Sequence, residues 1–307
     1  MRRFVIAWLL LVFAAESVHS QLVSKDVNQP AMKALMNGTV FVLATDDDAY
    51  NQWLARVMEE HWTVRPYRLI HLSQADSFIG SDKNLFFFAQ CREDKGTAMR
   101  LATSSDLAAK KELIFMLIQG GVKQSKFLFT PALTGPKVIS AYRFSPDRAE
   151  ETAGMFEAEM LIAYLNQSLN LILSNNIKGS VKDSVRDRIS SLAPQIQDKT
   201  MLFNEAYSDG TIMLEKKPLI SDKVIKDYPY RHKMVNKFNL SSHLNDGSIS
   251  PCYLFLYFPS QYVNQVDDSG DLLVYDPVQK MFLYAEDNYG GPWMEKWELK
   301  DMLYLVR

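Results

Sequence analysis

Two stretches of this 307-residue chain repeat the same order of elements, and this repetition restricts the fold more than any other feature. In the first stretch, an apolar run at 39–45 precedes an amphipathic helix pattern that ends near Trp62, and an alternating strand pattern follows at 67–72. In the second stretch, an apolar run at 200–203 precedes a short helix pattern at 221–227. A strand, a helix and a second strand in this order favour parallel pairing with a right-handed crossover.

Both stretches also carry the tripeptide Pro-Tyr-Arg, at 66–68 and at 229–231, and each has an aromatic run after it, at 85–88 and at 253–258. A tripeptide recurs easily by chance. It is evidence for a repeat only because each occurrence has a helix before it and an aromatic strand after it. We interpret the two stretches as tandem copies of one α/β unit. Two unrelated α/β halves are the alternative.

Helical spacing dominates the segment between the two stretches. Pro146 fits the first turn of a helix, and the periodic runs at 155–173 and 181–192 predict two helices that join the copies as a hairpin. Packing within the chain is the favoured use of their apolar faces, and contact with a partner helix is the alternative. The predicted fold class is therefore α/β, with two related units that have mainly parallel sheets and are joined by a helical hairpin.

This interpretation divides the chain into four parts, which are a signal peptide at 1–20, a first α/β unit at 21–145, a helical connection at 146–198 and a second α/β unit at 199–307. Smaller features complete the predicted organisation: a loose lead-in at 21–37, strands at 113–119, 127–129 and 138–144, a hairpin at 271–284 that turns around Pro277, a loop at 287–292 and a closing helix at 295–305.

The N-terminus has the pattern of a cleavable signal peptide. Arg2 and Arg3 precede an apolar run at 4–15, and small residues before Gln21 match a cleavage site. The run is too short to span a bilayer comfortably, and no later segment reaches about 18 consecutive apolar residues. The sequence therefore predicts a periplasmic or secreted chain that starts at Gln21 and has no transmembrane segment. An uncleaved anchor is the alternative, and Glu16 argues against it.

Charge and cysteine content exclude some classes of function. The formal net charge is −2, and basic residues are interspersed with acidic ones, so the chain has no broad positive field for nucleic acid. Cys91 and Cys252 are the two cysteines. Two buried thiols are the favoured interpretation, and a disulfide, which needs Cα atoms within about 7 Å, is the alternative.

Motifs of common enzyme classes are absent from the sequence. It contains no G-x-S-x-G nucleophile elbow, no G-x-G-x-x-G or G-x-x-x-x-G-K-[ST] phosphate loop, no S-x-x-K and no C-x-x-C. The four histidines after the predicted signal peptide show no metal-ligand spacing such as H-x-x-x-H. We therefore predict no catalytic residue and no cofactor.

The acidic run Asp46-Asp47-Asp48 is the strongest candidate for a chemical site. It follows a buried strand, at the end of the strand where open α/β sheets bind ligands. Asp46 and Asp48, separated by one residue, form a candidate metal site. Capping of the following helix is the favoured alternative, because aspartate is a preferred N-cap and acids in the first turn favour the helix dipole.

Aromatic residues near the C-terminus form a second candidate site. Tyr289 and Trp293 lie close in sequence to Asp287, and sugar-binding surfaces combine flat aromatic faces with carboxylates. These three residues are the candidate contacts for a glycan or peptide ligand. A place in the core is the commoner use of aromatics in a closing segment.

The signal peptide, the Gln21 start and the passage Trp-Thr-Val-Arg-Pro-Tyr-Arg at 62–68 together resemble uncharacterised exported proteins of Gram-negative bacteria. The resemblance implies a periplasmic or secreted location and no particular activity. With the missing catalytic motifs, it leads us to predict a non-enzymatic binding or structural component of the cell envelope, with an envelope protein or glycan as partner. The alternatives are a metal-dependent enzyme that uses Asp46 and Asp48, and a glycan binder that uses the C-terminal aromatics.

Overall fold

The structure is a computed structural model, and it describes residues 29–92, 99–108, 113–121, 137–144, 153–175, 181–205, 208, 213–214, 217–218, 225–226, 228–236, 252–262 and 265–290. The predicted signal peptide, the strand at 127–129, Pro146, Trp293 and the closing helix at 295–305 lie outside these residues. Of the predicted helix at 221–227, Ile225 and Lys226 are described, and both are helical.

The described residues contain both helices and strands, which confirms the mixed α/β class. The α-helices are α1 (Gln29–Asn37), α2 (Asp48–His61), α3 (Asp76–Ile79), α4 (Ser104–Ala108), α5 (Ala153–Asn175) and α6 (Val181–Ser190), and two 3₁₀ helices span Leu72–Gln74 and Ala193–Asp198. The strands are β1 (Val40–Ala44), β2 (Tyr67–His71), β3 (Leu85–Arg92), β4 (Met99–Leu101), β5 (Leu113–Gln119), β6 (Val138–Phe144), β7 (Thr200–Asn204), β8 (Met213–Leu214), β9 (Lys217–Pro218), β10 (His232–Val235), β11 (Cys252–Tyr262), β12 (Gln265–Asp276) and β13 (Met281–Gly290).

The first sheet has the strand order β2-β1-β3-β5-β6, with β4 paired to β3. Strand β1 pairs in parallel with β2 and with β3, as the strand–helix–strand order predicts, and the remaining pairs are antiparallel. Both faces of this sheet are covered. Val42 and Phe87 face α2 and α5, whereas Phe41 and Phe86 face a smaller apolar cluster that includes Ile79 of α3.

The second sheet has the strand order β10-β7-β11-β12-β13. Strand β7 pairs in parallel with β10 and β11, and the later strands pair antiparallel. The antiparallel pair of β12 and β13 follows from their short connection, since a four-residue turn reverses the chain but cannot cross over. This turn confirms the hairpin predicted around Pro277, and Lys280 closes it at φ 52°.

Helix α5 lies at the centre of the main core. Its residues 160–165 are all buried, and the helix contacts both α2 and β13. A helix that packs on one surface needs an apolar stripe, whereas one enclosed by several elements is apolar nearly all round. The same apolar cluster contains Phe87 of the first sheet and Phe282 of the second, so α5 and its neighbours join the two sheets in one core.

Two expectations for chain segments are wrong. Part of the predicted lead-in at 21–37 is helix α1, because Ala31, Ala34 and Leu35 have helical spacing and are buried in the main core. The predicted loop at 287–292 is strand as far as Gly290, because β13 continues along β12 with Tyr289 opposite Gly270.

Cys91 and Cys252 are both buried thiols, as the favoured interpretation predicts. Burial and the negative charge of Asp276 raise the pKa of the Cys252 thiol. The thiol therefore stays protonated near neutral pH, and only the thiolate is a good nucleophile. Among the residues that the structure describes, no helix is both long and apolar enough to cross a membrane.

Candidate functional site at the carboxyl edge of the first sheet

The carboxyl ends of the parallel strands β1 and β2 meet at one edge of the first sheet, where Ala44 pairs with His71. The chain leaves β1 toward β2 on one side and later returns to β3 on the other side, so the strand order reverses at β1. Open α/β sheets bind ligands in the crevice outside such a reversal. The acidic run at 46–48 follows β1 at this edge.

Asp47 holds this edge together. Its carboxylate accepts hydrogen bonds from the backbone N–H of Tyr50 at 2.9 Å and from the backbone and hydroxyl of Ser104 at 2.9 and 2.6 Å. These bonds lower the pKa of Asp47, with the Ser104 hydroxyl as the largest cause. Asp47 therefore caps α2 and ties it to the start of α4, which lies beside the β1–β3 crevice.

Further hydrogen bonds fix α4 in this position. Arg100 donates two bonds to Asp106, at 2.5 and 2.6 Å, and the backbone and hydroxyl of Thr103 donate to the same carboxylate. Burial alone would raise the pKa of Asp106, but these bonds outweigh it and lower the pKa to about 2. The carboxylate is thus ionised at neutral pH and acts as a structural anchor.

The three aspartates should therefore differ in their effect on stability. Asp47→Ala is expected to lower the free energy of unfolding by about 2 kcal/mol, because it removes a helix cap and the contact with Ser104. Asp46→Ala and Asp48→Ala should each cost no more than about 1 kcal/mol, since surface positions contribute little. Urea denaturation of the three variants measures this difference. Equal losses would show that Asp47 has no special structural role.

Asp46 faces outward and contacts His71. The Nε2 atom of His71 lies 2.9 Å from Oδ1 of Asp46, and Nδ1 lies 2.8 Å from Oγ of Ser73. The backbone N–H of Ser73 also points at Nδ1, so Nδ1 is the acceptor and Nε2 donates its proton to Asp46. We name these three residues the carboxyl-edge cluster.

The order of groups in the carboxyl-edge cluster is that of a serine–histidine–aspartate triad, but its environment differs. In such triads the aspartate is buried, and it orients the histidine and stabilises its positive charge. Here the side chain of Asp46 is 99% exposed and that of His71 is 43% exposed, so water screens their interaction. His71 also caps the 3₁₀ helix at 72–74. The geometry suits hydrogen bonding to a polar ligand better than attack by Ser73.

The structure places the candidate residues of the sequence in different positions. Asp48 is in the first turn of α2, where it favours the helix dipole, while Asp46 joins His71. Asp287 and Tyr289 lie on β13. Their side chains and the whole of Trp293 lie outside the part of the chain that the structure describes. The candidate metal pair and the candidate aromatic surface therefore both stay predictions.

A second polar cluster, which no sequence pattern indicated, lies where α2 meets α5. We name it the junction cluster: Arg56, Glu60, His61 and Glu159. Arg56 donates to Glu60 at 3.1 Å and to Glu159 at 2.8 Å, and Nε2 of His61 lies 3.0 Å from Oε1 of Glu159. The first three residues share one helix end, but Glu159 is 98 residues after His61, a contact that only the tertiary fold creates.

The surroundings of the junction cluster hold its two helices together. Asn166 of α5 accepts hydrogen bonds from the backbone N–H groups of Thr63 and Val64, at 2.7 and 3.2 Å. In the second sheet, burial and the negative charges of Glu159, Asp276 and Glu60 raise the pKa of Tyr275. Glu60 and Glu159 therefore lie close to Tyr275 of the second sheet.

Comparisons of this chain with protein-family models, with curated proteins and with solved structures gave no match.

Proposed function

We propose that this chain is an exported, non-enzymatic binding component of the cell envelope, and that its ligand contacts the carboxyl-edge cluster. One observation carries the proposal: Asp46, Ser73 and the partly exposed His71 are hydrogen-bonded at the carboxyl ends of the parallel strands β1 and β2, the end of parallel strands where ligands commonly bind. The N-terminal signal pattern supports export.

Hydroxyl-rich glycans are the ligand class that suits these groups best. A carboxylate accepts hydrogen bonds, a hydroxyl both donates and accepts them, and an imidazole offers one of each. The cluster carries one carboxylate and no fixed positive charge, which disfavours phosphate and nucleic acid. Because Asp46 and His71 already contact each other, they are held in place before a ligand arrives, which reduces the entropy lost on binding.

We also infer that the two sheets belong to related units, as the sequence repetition predicts. The strand partners of the residue that follows each Pro-Tyr-Arg tripeptide support this inference. Leu69 lies opposite Val42, which lies opposite Phe87. In the second sheet, His232 lies opposite Met201, which lies opposite Tyr253. In each sheet the strand that carries the residue after the tripeptide therefore lies at the edge, with the apolar strand next to it and the aromatic strand beyond.

An experimental structure tests this relationship through superposition. Strands β1, β2, β3, β5 and β6 should superpose on β7, β10, β11, β12 and β13. The equivalence of Val42 with Met201 should also bring Phe87 onto Tyr253. A best superposition that shifts one pair of strands relative to the tripeptides would contradict common origin.

The binding proposal is tested by fluorescence titration of the purified chain with envelope polysaccharides and peptidoglycan fragments. We expect one class of fragment to bind, and the double variant Asp46→Asn/His71→Gln to weaken it at least about tenfold, because the carboxylate loses its charge and the imidazole ring is replaced by a flexible amide. His232→Gln is the matched control, since His232 is an exposed histidine at the edge of the second sheet. Equal binding by all three proteins would contradict the proposed surface.

A metal-dependent enzyme is a second candidate function, favoured by the contact between Asp46 and His71, two common types of metal ligand. It predicts that Mn²⁺ or Mg²⁺ binds the wild-type chain and that Asp46→Ala abolishes this binding. Isothermal titration calorimetry measures this binding. The absence of a binding signal with both ions would exclude this second candidate function.

A further inference from the structure

The junction cluster combines ligand types that bind transition metals. Glu60, His61 and Glu159 each offer one ligand atom, and these atoms all lie within 4.8 Å of one another. No other group of three such residues occurs in the part of the chain that the structure describes. Imidazole nitrogen and carboxylate oxygen together are donors that Zn²⁺ accepts, and three protein ligands leave a fourth position for water.

The distances inside the cluster fit a shared ion. Zinc bonds of about 2.0–2.1 Å in a tetrahedral arrangement separate neighbouring ligand atoms by about 3.3 Å. Nε2 of His61 is 3.0 Å from Glu159 and 4.0 Å from Glu60. The side chain of Glu60 is 39% exposed, so a rotation of its carboxylate is enough to close the longer gap.

A positive charge already occupies the space between the two carboxylates. The guanidinium of Arg56 contacts Glu60 and Glu159 at once, and its side chain is 48% exposed. Because the Arg56 side chain is half-exposed, it can turn into solvent when an ion takes its place beside the two carboxylates. The two carboxylates and the guanidinium together carry one net negative charge, so these three groups still attract a cation.

We propose that Glu60, His61 and Glu159 form a binding site for a divalent transition-metal ion, with Zn²⁺ as the best fit, and that Arg56 occupies the site when the ion is absent. The ion would link α2, which carries Glu60 and His61, to α5, which carries Glu159. The site is distinct from the carboxyl-edge cluster and does not depend on the proposed glycan binding.

The test is a titration of the metal-free chain with Zn²⁺, monitored by calorimetry, and a second titration with Co²⁺, monitored by visible absorption. We expect one ion per chain and the intense Co²⁺ bands of a four-coordinate site. Glu60→Gln should weaken binding at least about tenfold. Arg56→Met should tighten binding several-fold, because it removes the competing cation. A purely structural ion-pair network does not predict this gain.

His232→Gln is the matched control, since it removes an exposed imidazole that belongs to neither cluster and should leave the affinity unchanged. Glu60 is partly exposed, so Glu60→Gln is expected to fold even if a variant of the buried His61 does not, and circular dichroism verifies this. The proposal is overturned by the absence of stoichiometric binding, by equal affinity in Glu60→Gln, or by a loss confined to His232→Gln.

Discussion

Gln167→Met is expected to lower the free energy of unfolding by about 3 kcal/mol. The amide of Gln167 on α5 donates to the carbonyl of Phe282 at 2.9 Å and accepts from its backbone N–H at 2.6 Å. It thus satisfies both backbone groups of a buried residue on β13, at the edge of the second sheet. Methionine keeps the length of the side chain but leaves two backbone groups without a partner, at about 1–3 kcal/mol for each.

Urea denaturation of the Gln167 variant provides the measurement. Ser174→Ala is the control on the same helix, since the Ser174 hydroxyl is exposed and donates to carbonyls of α5 itself, and its removal should change stability by less than about 0.5 kcal/mol. A loss below about 1 kcal/mol for Gln167→Met would mean that the long helix and the second sheet are not joined in this way.

Asp276→Ala should destabilise the chain even more, by about 4 kcal/mol. The carboxylate of Asp276 is fully buried, and it accepts a hydrogen bond from Nζ of Lys199 at 2.5 Å. Its other oxygen accepts from the backbone N–H groups of Val278 and Gln279 in the turn after β12. Removal of one partner of a buried ion pair leaves the other charge uncompensated, which costs about 3–5 kcal/mol.

A double-mutant cycle separates the ion pair from the turn. Asp276→Asn keeps a side-chain oxygen for the turn but loses the charge, so adding Lys199→Met should recover part of the lost stability. Thermal denaturation of the single and double variants measures the coupling. Strictly additive losses would show that Lys199 and Asp276 do not stabilise each other.

Local patterns predicted most of the strands because their cause is local. The apolar runs of β1 and β5 and the turn at Pro277 have the residues that strands and turns need, whatever surrounds them. Helix α1 was missed because its few apolar residues lie among polar ones, and only the core that receives Ala31 and Leu35 shows their role. The full length of β13 was missed because a partner strand, β12, extends it through polar residues.

For the candidate sites too, local patterns predicted what neighbouring residues do but not the contacts between distant segments. The sequence located the acidic run after β1 and favoured helix capping for it, and the structure assigns the cap to Asp47. His71 could not be joined to Asp46 without the register of β1 and β2, and Glu159 could not be joined to His61 without the packing of α5 on α2. Pairings between distant segments depend on tertiary packing, which no local pattern records.

The central claim is that a ligand binds at the carboxyl-edge cluster without chemical change. Nuclear magnetic resonance of the histidine ring protons tests it most directly, during titration with the fragment that binds. We expect the resonances of His71 to shift while those of His61 and His232 stay in place, and we expect mass spectrometry to recover the fragment unaltered. A shift at His232 with His71 unmoved, or a fragment cleaved during the titration, would contradict the account.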